Sequence, residues 1–93
     1  MRFSHFETTP NPNAIKCVID PDPWDKSPRS YFTPDQAARA NDPLAQDLFA
    51  TKGVTNVLIH TRFITVCKAP AAKWPAIKRS IKAAILRRGP ADA

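Results

Sequence analysis

Apolar and polar residues alternate over Ile15-Lys16-Cys17-Val18-Ile19, and β-branched residues dominate two further runs, Val54 to Ile59 and Phe63 to Cys67. A period of two sends successive side chains to opposite faces of a pleated strand, so all three runs predict strands. His60-Thr61-Arg62 between the last two is short enough for a hairpin. Even register then pairs Ile59 with Ile64 and Val57 with Val66, placing four aliphatic side chains on one face. Leu58, His60, Thr65 and Cys67 fall on the other. Arg2 to Phe6 carries two aromatics and predicts another strand. The intervening Thr8-Thr9-Pro10-Asn11-Pro12-Asn13 must turn, because each proline keeps its predecessor out of the helical region and asparagine caps its own backbone. Arg2–Phe6 and Ile15–Ile19 therefore pair as a hairpin.

A different period governs the rest. Asp20 to Pro28 holds three prolines among charged residues, which resists a hydrogen-bonded ladder and predicts a loop with Trp24 as its anchor. Arg29 to Phe32 suits a short strand. Thr33-Pro34-Asp35-Gln36 opens a helix from Pro34 to about Ala40, with Thr33 as cap and Gln36 as capping-box partner. Asp42-Pro43 repeats the device, and Leu44, Ala45, Leu48 and Phe49 form one stripe of a second short helix that Gly53 closes. In the last helix Trp74, Ile77, Ile81, Ala84 and Ile85 share a face, with Lys78, Arg79 and Lys82 away from it, until Gly89-Pro90 stops it. The order ββ(β)ααββα predicts an α+β fold, a two-layer sandwich of mostly antiparallel sheet packed against helices. Val57, Ile59, Ile64 and Val66 should pack under Trp74, Ile77, Ile81 and Ile85, with Leu44, Leu48 and Phe49 completing the core. Residues 1–89 make a single domain and 90–93 a tail.

Size limits what this fold can do. With 93 residues, 43% hydrophobic and 24% charged, the chain has room for one modest core, which excludes a two-domain enzyme with its own cofactor fold. No apolar run approaches the ~18 residues of a bilayer span, and the amino terminus lacks the apolar stretch of a secretory signal, so a cytoplasmic location is expected. The net charge of +6 is polarised: five basic residues face seven acidic ones through Thr51, whereas nine basic residues face only Asp92 from Lys52 onward. Such asymmetry suits an acidic partner. No G-x-S-x-G, no serine, histidine and aspartate order and no glycine-rich phosphate loop is present, which predicts a protein that is not an enzyme.

Five motifs in order carry a resemblance over nearly the whole chain: Thr9-Pro10-Asn11-Pro12-Asn13; Pro43-Leu44-Ala45 with Leu48-Phe49; Gly53-Val54 with Val57; Phe63-Ile64-Thr65-Val66 with Lys68; and Trp74 with Ile77-Lys78. Together they resemble the amino-terminal domain of Nfu/NifU-type iron–sulfur cluster scaffold proteins. The resemblance implies the fold and the pathway of iron–sulfur cluster biogenesis. In that family a second domain with a Cys-x-x-Cys motif binds the cluster, and no Cys-x-x-Cys occurs up to Ala93. The expectation is a stand-alone, non-catalytic accessory module that contacts assembly proteins or apo client proteins beside a separate carrier. It should hold no cofactor itself, and meet a cluster or iron only through a partner. Cys17 stands where relatives usually carry an aromatic, Cys67 where threonine is common and His60 where glycine is common.

Several groups suggest chemistry of their own. Cys17, Cys67, His5 and His60 are the residue types of a metal site, but Cys17 shares the Ile15/Ile19 face while Cys67 points opposite to Ile64 and Val66. No metal site is therefore expected within one chain, and Cys67 stays a weak candidate for a cluster bridged at a dimer interface. Asn11 and Asn13 offer amide side chains on a rigid turn, and Lys78, Arg79 and Lys82 offer a basic helix surface; these five are the expected partner-binding residues. The alternative for the basic surface is a small nucleic-acid-binding domain, although no aromatics interleave with the stripe and no reader motif is present.

Overall fold

Five strands and three helices occur among the residues that the computed structural model describes, 2–20 and 28–88. They are β1 (Arg2–Thr8), β2 (Ala14–Asp20), β3 (Arg29–Tyr31), α1 (Pro34–Arg39), α2 (Pro43–Phe49), β4 (Val54–Ile59), β5 (Phe63–Lys68) and α3 (Trp74–Arg88). One antiparallel sheet has the order β1-β2-β5-β4-β3, so β1 and β3 are its edges. The expected register holds, with Val57 opposite Val66 and Ile59 opposite Ile64. Ile15, Cys17 and Ile19 of β2 join those four on the inner face, where Ala37, Leu44, Ala45, Leu48, Ile77, Ile81, Ala84 and Ile85 cover them in one buried cluster. Phe49 and Trp74 pack at its margin, partly buried. The anchoring role of Trp24, the stop at Gly89-Pro90, and the 90–93 tail fall outside the described residues.

Helix ends follow their side-chain chemistry. Thr33 Oγ1 accepts from the Gln36 backbone N–H, as a cap should, but Gln36 Oε1 accepts from the N–H of Phe32 and not from that of Thr33. α1 closes on a left-handed Asn41 (φ 53°), with Asn41 N–H donating to Ala38 O and Asp42 N–H to Ala37 O, the paired bonds of a Schellman end. Asp42 then caps α2 through Oδ1, which accepts from Ala45 N–H. Its Oδ2 accepts from Tyr31 Oη at 3.0 Å and pairs with Arg29 Nε. One buried carboxylate thus ties β3 to the junction between α1 and α2. Burial alone would push the Asp42 carboxyl up, but the Arg29 and Ala45 hydrogen bonds, the Arg29 charge and Tyr31 outweigh it and hold it below its ordinary value.

Gly53 serves a different purpose from the helix stop that its position predicts. Gly53 does not close α2, which ends at Phe49 with Ala50 as its cap. Gly53 lies at the entry to β4 with φ +97°, and a Cβ there would come within 2.6 Å of the Ala72 Cβ. Glycine is required both by the left-handed backbone and by the close approach of the segment leading to α3.

Candidate functional site

The Thr9–Asn13 turn is built from its own side chains. Pro12 and Asn13 are the central residues of a turn closed by Ala14 N–H donating to Asn11 O at 3.0 Å, and proline presets the backbone angle that its position needs. Asn11 Oδ1 accepts from Asn13 N–H at 2.9 Å, and Thr9 Oγ1 donates toward Asn11 O and Ala14 O. Two contacts from distant elements then fix the turn to the body. Trp74 Nε1 donates to Pro12 O at 3.0 Å from the first residue of α3. Lys68 Nζ donates to Asn13 Oδ1 at 3.1 Å and toward the carbonyls of Ala69 and Pro70, and lies 5.5 Å from the centre of the Trp74 ring. The amide oxygens of Asn11 and Asn13 are thereby used internally. Their Nδ2 groups make no hydrogen bond among the described residues, with Asn11 exposed and Asn13 half-buried.

Lys68 is the member of this cluster that the sequence reading missed, because β5 was expected to end at Cys67. The signal was available: 64, 66 and 68 share one parity, so continuing the strand by one residue sends Lys68 to the inner face.

The basic surface of α3 is placed with equal clarity. Arg79 is exposed, whereas Lys78 and Lys82 lean along β1, their ammonium groups 5.4 Å from the Phe6 ring centre and 5.2 Å from that of Phe3. The two rings sit 4.9 Å apart against the core. A bulge between Phe3 and His5, not foreseen from the sequence, lets both rings face inward although an odd number of steps separates them. None of Lys78, Arg79 or Lys82 has a carboxylate within ion-pair distance among the described residues.

The two thiols point away from each other through the sheet. Cys17 is fully buried on the inner face, and burial pushes its thiol up to about 12. Cys67 is half-buried on the outer face and is also raised by burial, the opposite of what a thiolate ligand needs. His5 Nε2 donates to Glu7 Oε2 at 3.0 Å on the exposed side of β1, and His60 stacks on Phe63 with ring centres 4.6 Å apart. The structure does not bring these four residues together. No group of three histidine, cysteine, aspartate or glutamate side chains converges among the described residues. Nor is any helix among them long and apolar enough to cross a membrane.

Comparison with known proteins gives this arrangement a family. Residues 5–89 match the family described as scaffold protein Nfu/NifU N terminal. The chain is 36% identical over 84 residues to the mitochondrial NFU1 iron-sulfur cluster scaffold homolog of Drosophila willistoni, covering 90% of this chain and 29% of that protein. The Homo sapiens protein of the same name is 35% identical over 85 residues, again across 90% of this chain and across 33% of its own length. The chain thus spans about a third or less of these relatives. A solved NifU-like protein from Saccharomyces cerevisiae superposes with a TM-score of 0.73 at 26% identity, covering 94% of this chain and 79% of that one. The chain belongs to the Nfu/NifU N-terminal family, related to iron–sulfur cluster scaffold proteins.

Proposed function

We propose that this domain is a non-catalytic interaction module of iron–sulfur cluster biogenesis, acting in the cytoplasm beside a carrier whose cysteines hold the cluster. The observation that carries the reading is the placement of the thiols. Cys17 is sealed in the core and Cys67 stands on the opposite face, so the two cannot share one iron–sulfur unit within a chain. What the domain does present is a turn held by its own hydrogen bonds, with Asn11 exposed on it, and a basic side of α3 with no carboxylate in ion-pair range among the described residues. A preorganised turn loses little entropy when a partner docks, and unpaired cations speed encounter with an acidic one. The partners are a Cys-x-x-Cys carrier and apo iron–sulfur clients.

Two measurements test this. Pull-downs with a Cys-x-x-Cys carrier and with apo clients should capture at least one of them, and capture of neither by folded protein would overturn the proposal. Anaerobic reconstitution of the isolated domain with iron and sulfide should leave it colourless. Visible absorbance that disappears in Cys67→Ala would instead make the domain a carrier at a shared interface.

A further inference from the structure

We infer that β1 and the lysines above it form a docking edge for an extended acidic segment of a partner protein, which adds to the sheet as a sixth strand. The inference rests on the interaction reading above and specifies its surface. The two edges of the sheet differ. β3 has three residues and is pinned through Arg29 and Tyr31 to Asp42, whereas β1 has seven residues and forms the opposite, long edge. An edge strand presents a row of backbone donors and acceptors that another chain can complete. The bulge lies between Phe3 and His5, leaving His5 to Thr8 in regular register with β2.

Charge and spacing choose the occupant. α3 runs antiparallel to β1, with Lys78 at the level of Phe6 and Lys82 at the level of Phe3. Four residues of helix rise about 6 Å. Alternate residues of a strand, which share one face, repeat at about 6.8 Å. A strand laid against β1 with carboxylates at every second position would therefore set one beside each ammonium group. Both lysines already rest on aromatic rings, so their side chains are partly ordered before the partner arrives. A second copy of this chain is the poorer occupant. Antiparallel pairing of β1 with its own copy keeps both helix layers on one side of the joined sheet and brings four lysines to a single seam, between molecules of net charge +6.

The test uses a nine-residue peptide alternating glutamate with valine and threonine, followed by amide NMR of the 15N-labelled domain. The expected result is saturable binding that shifts the backbone amides of Phe3 to Thr8 and weakens as salt rises. A peptide N-methylated at alternate backbone positions should lose binding, and one with lysine for every glutamate should not bind. In K78E/K82E the preference should invert toward the lysine peptide; if that variant does not fold, K78Q/K82Q should lose binding of the glutamate peptide. Equal binding of the N-methylated peptide, shifts confined to α3, or no binding to folded wild-type domain would each overturn the inference. If a Cys-x-x-Cys carrier is captured equally by wild type and by the charge variants, the interaction module stands and only this docking edge falls.

Discussion

Asp42 and Lys68 are both buried, at 7% and 8% exposed, and each ties a loop to the body of the domain. Their surroundings differ in kind. Asp42 meets a full opposite charge in Arg29, whose side chain is 27% exposed, together with a phenol and a helix N-terminus. Lys68 has no carboxylate in ion-pair range among the described residues and is solvated by one amide oxygen, two backbone carbonyls and the face of an indole. A charge balanced by a charge takes a Coulomb attraction and its hydrogen bonds away together when it is removed. A charge solvated by dipoles leaves only neutral acceptors, two of which belong to a chain segment near the surface. The same degree of burial therefore predicts unequal costs.

The largest loss is expected for Asp42→Ala, about 3 kcal/mol, since it removes at once a helix cap, an ion pair with Arg29 and the acceptor of the Tyr31 hydroxyl. Denaturant melts measure it, and a loss below about 1 kcal/mol would show that water replaces the carboxylate and that the two sites are alike. The acid limb sharpens the same point. Asp42 titrates below its ordinary value of 3.8 when folded, so the unfolded chain takes up the proton first as the pH falls. Its contribution is fully present above that ordinary value and is lost as the pH drops through the lower folded value. Wild type should lose more stability between about pH 5 and pH 3 than Asp42→Asn does, and parallel acid profiles would refute the assignment.

How legible these two sites are in the sequence follows the range of the interactions that make them. Thr33, Asp42 and the prolines after them announce caps, because capping is decided within three residues of chain. The register of β4 with β5 and the buried stripe of α3 are equally local in origin, being fixed by periodicity. The Arg29–Asp42 pair and the Lys68–Asn13 bond join residues 13 and 55 positions apart, and no pattern along the chain states such a distance. The bulge at Ser4 escapes for another reason: alternation with one extra residue looks like a weak strand, not a kinked one. The pattern offers Asn11 and Asn13 for reaching a partner, yet the Asn11 oxygen shapes the turn itself, as Asx chemistry foretells, and the Asn13 oxygen anchors it to Lys68, a use that composition cannot rank against docking.

A smaller effect is expected at the dipole-solvated site. Lys68→Met keeps the length of the side chain and its contact with the Trp74 ring, and removes donors from three neutral acceptors, so about 1 kcal/mol should be lost. Equilibrium unfolding measures the difference. A cost equal to that of Asp42→Ala would mean that the ammonium group is irreplaceable and that burial, not the kind of partner, sets the price.

The smallest change is Trp74→Phe, which keeps an aromatic face toward Lys68 and removes a single N–H from Pro12 O. Pro12 is exposed, so water can take over its carbonyl, and about 0.5 kcal/mol is expected. What the variant decides is which of the two long-range contacts holds the Thr9–Asn13 turn in place. Amide hydrogen exchange at Asn13 and Ala14 reads this directly, because both N–H groups are bonded within the turn, to Asn11 Oδ1 and Asn11 O. If Lys68 is the pin, exchange there should accelerate in Lys68→Met and stay near wild type in Trp74→Phe. The reverse order would assign the turn to the indole, and the buried ammonium would then serve chiefly to close the end of β5 over the core.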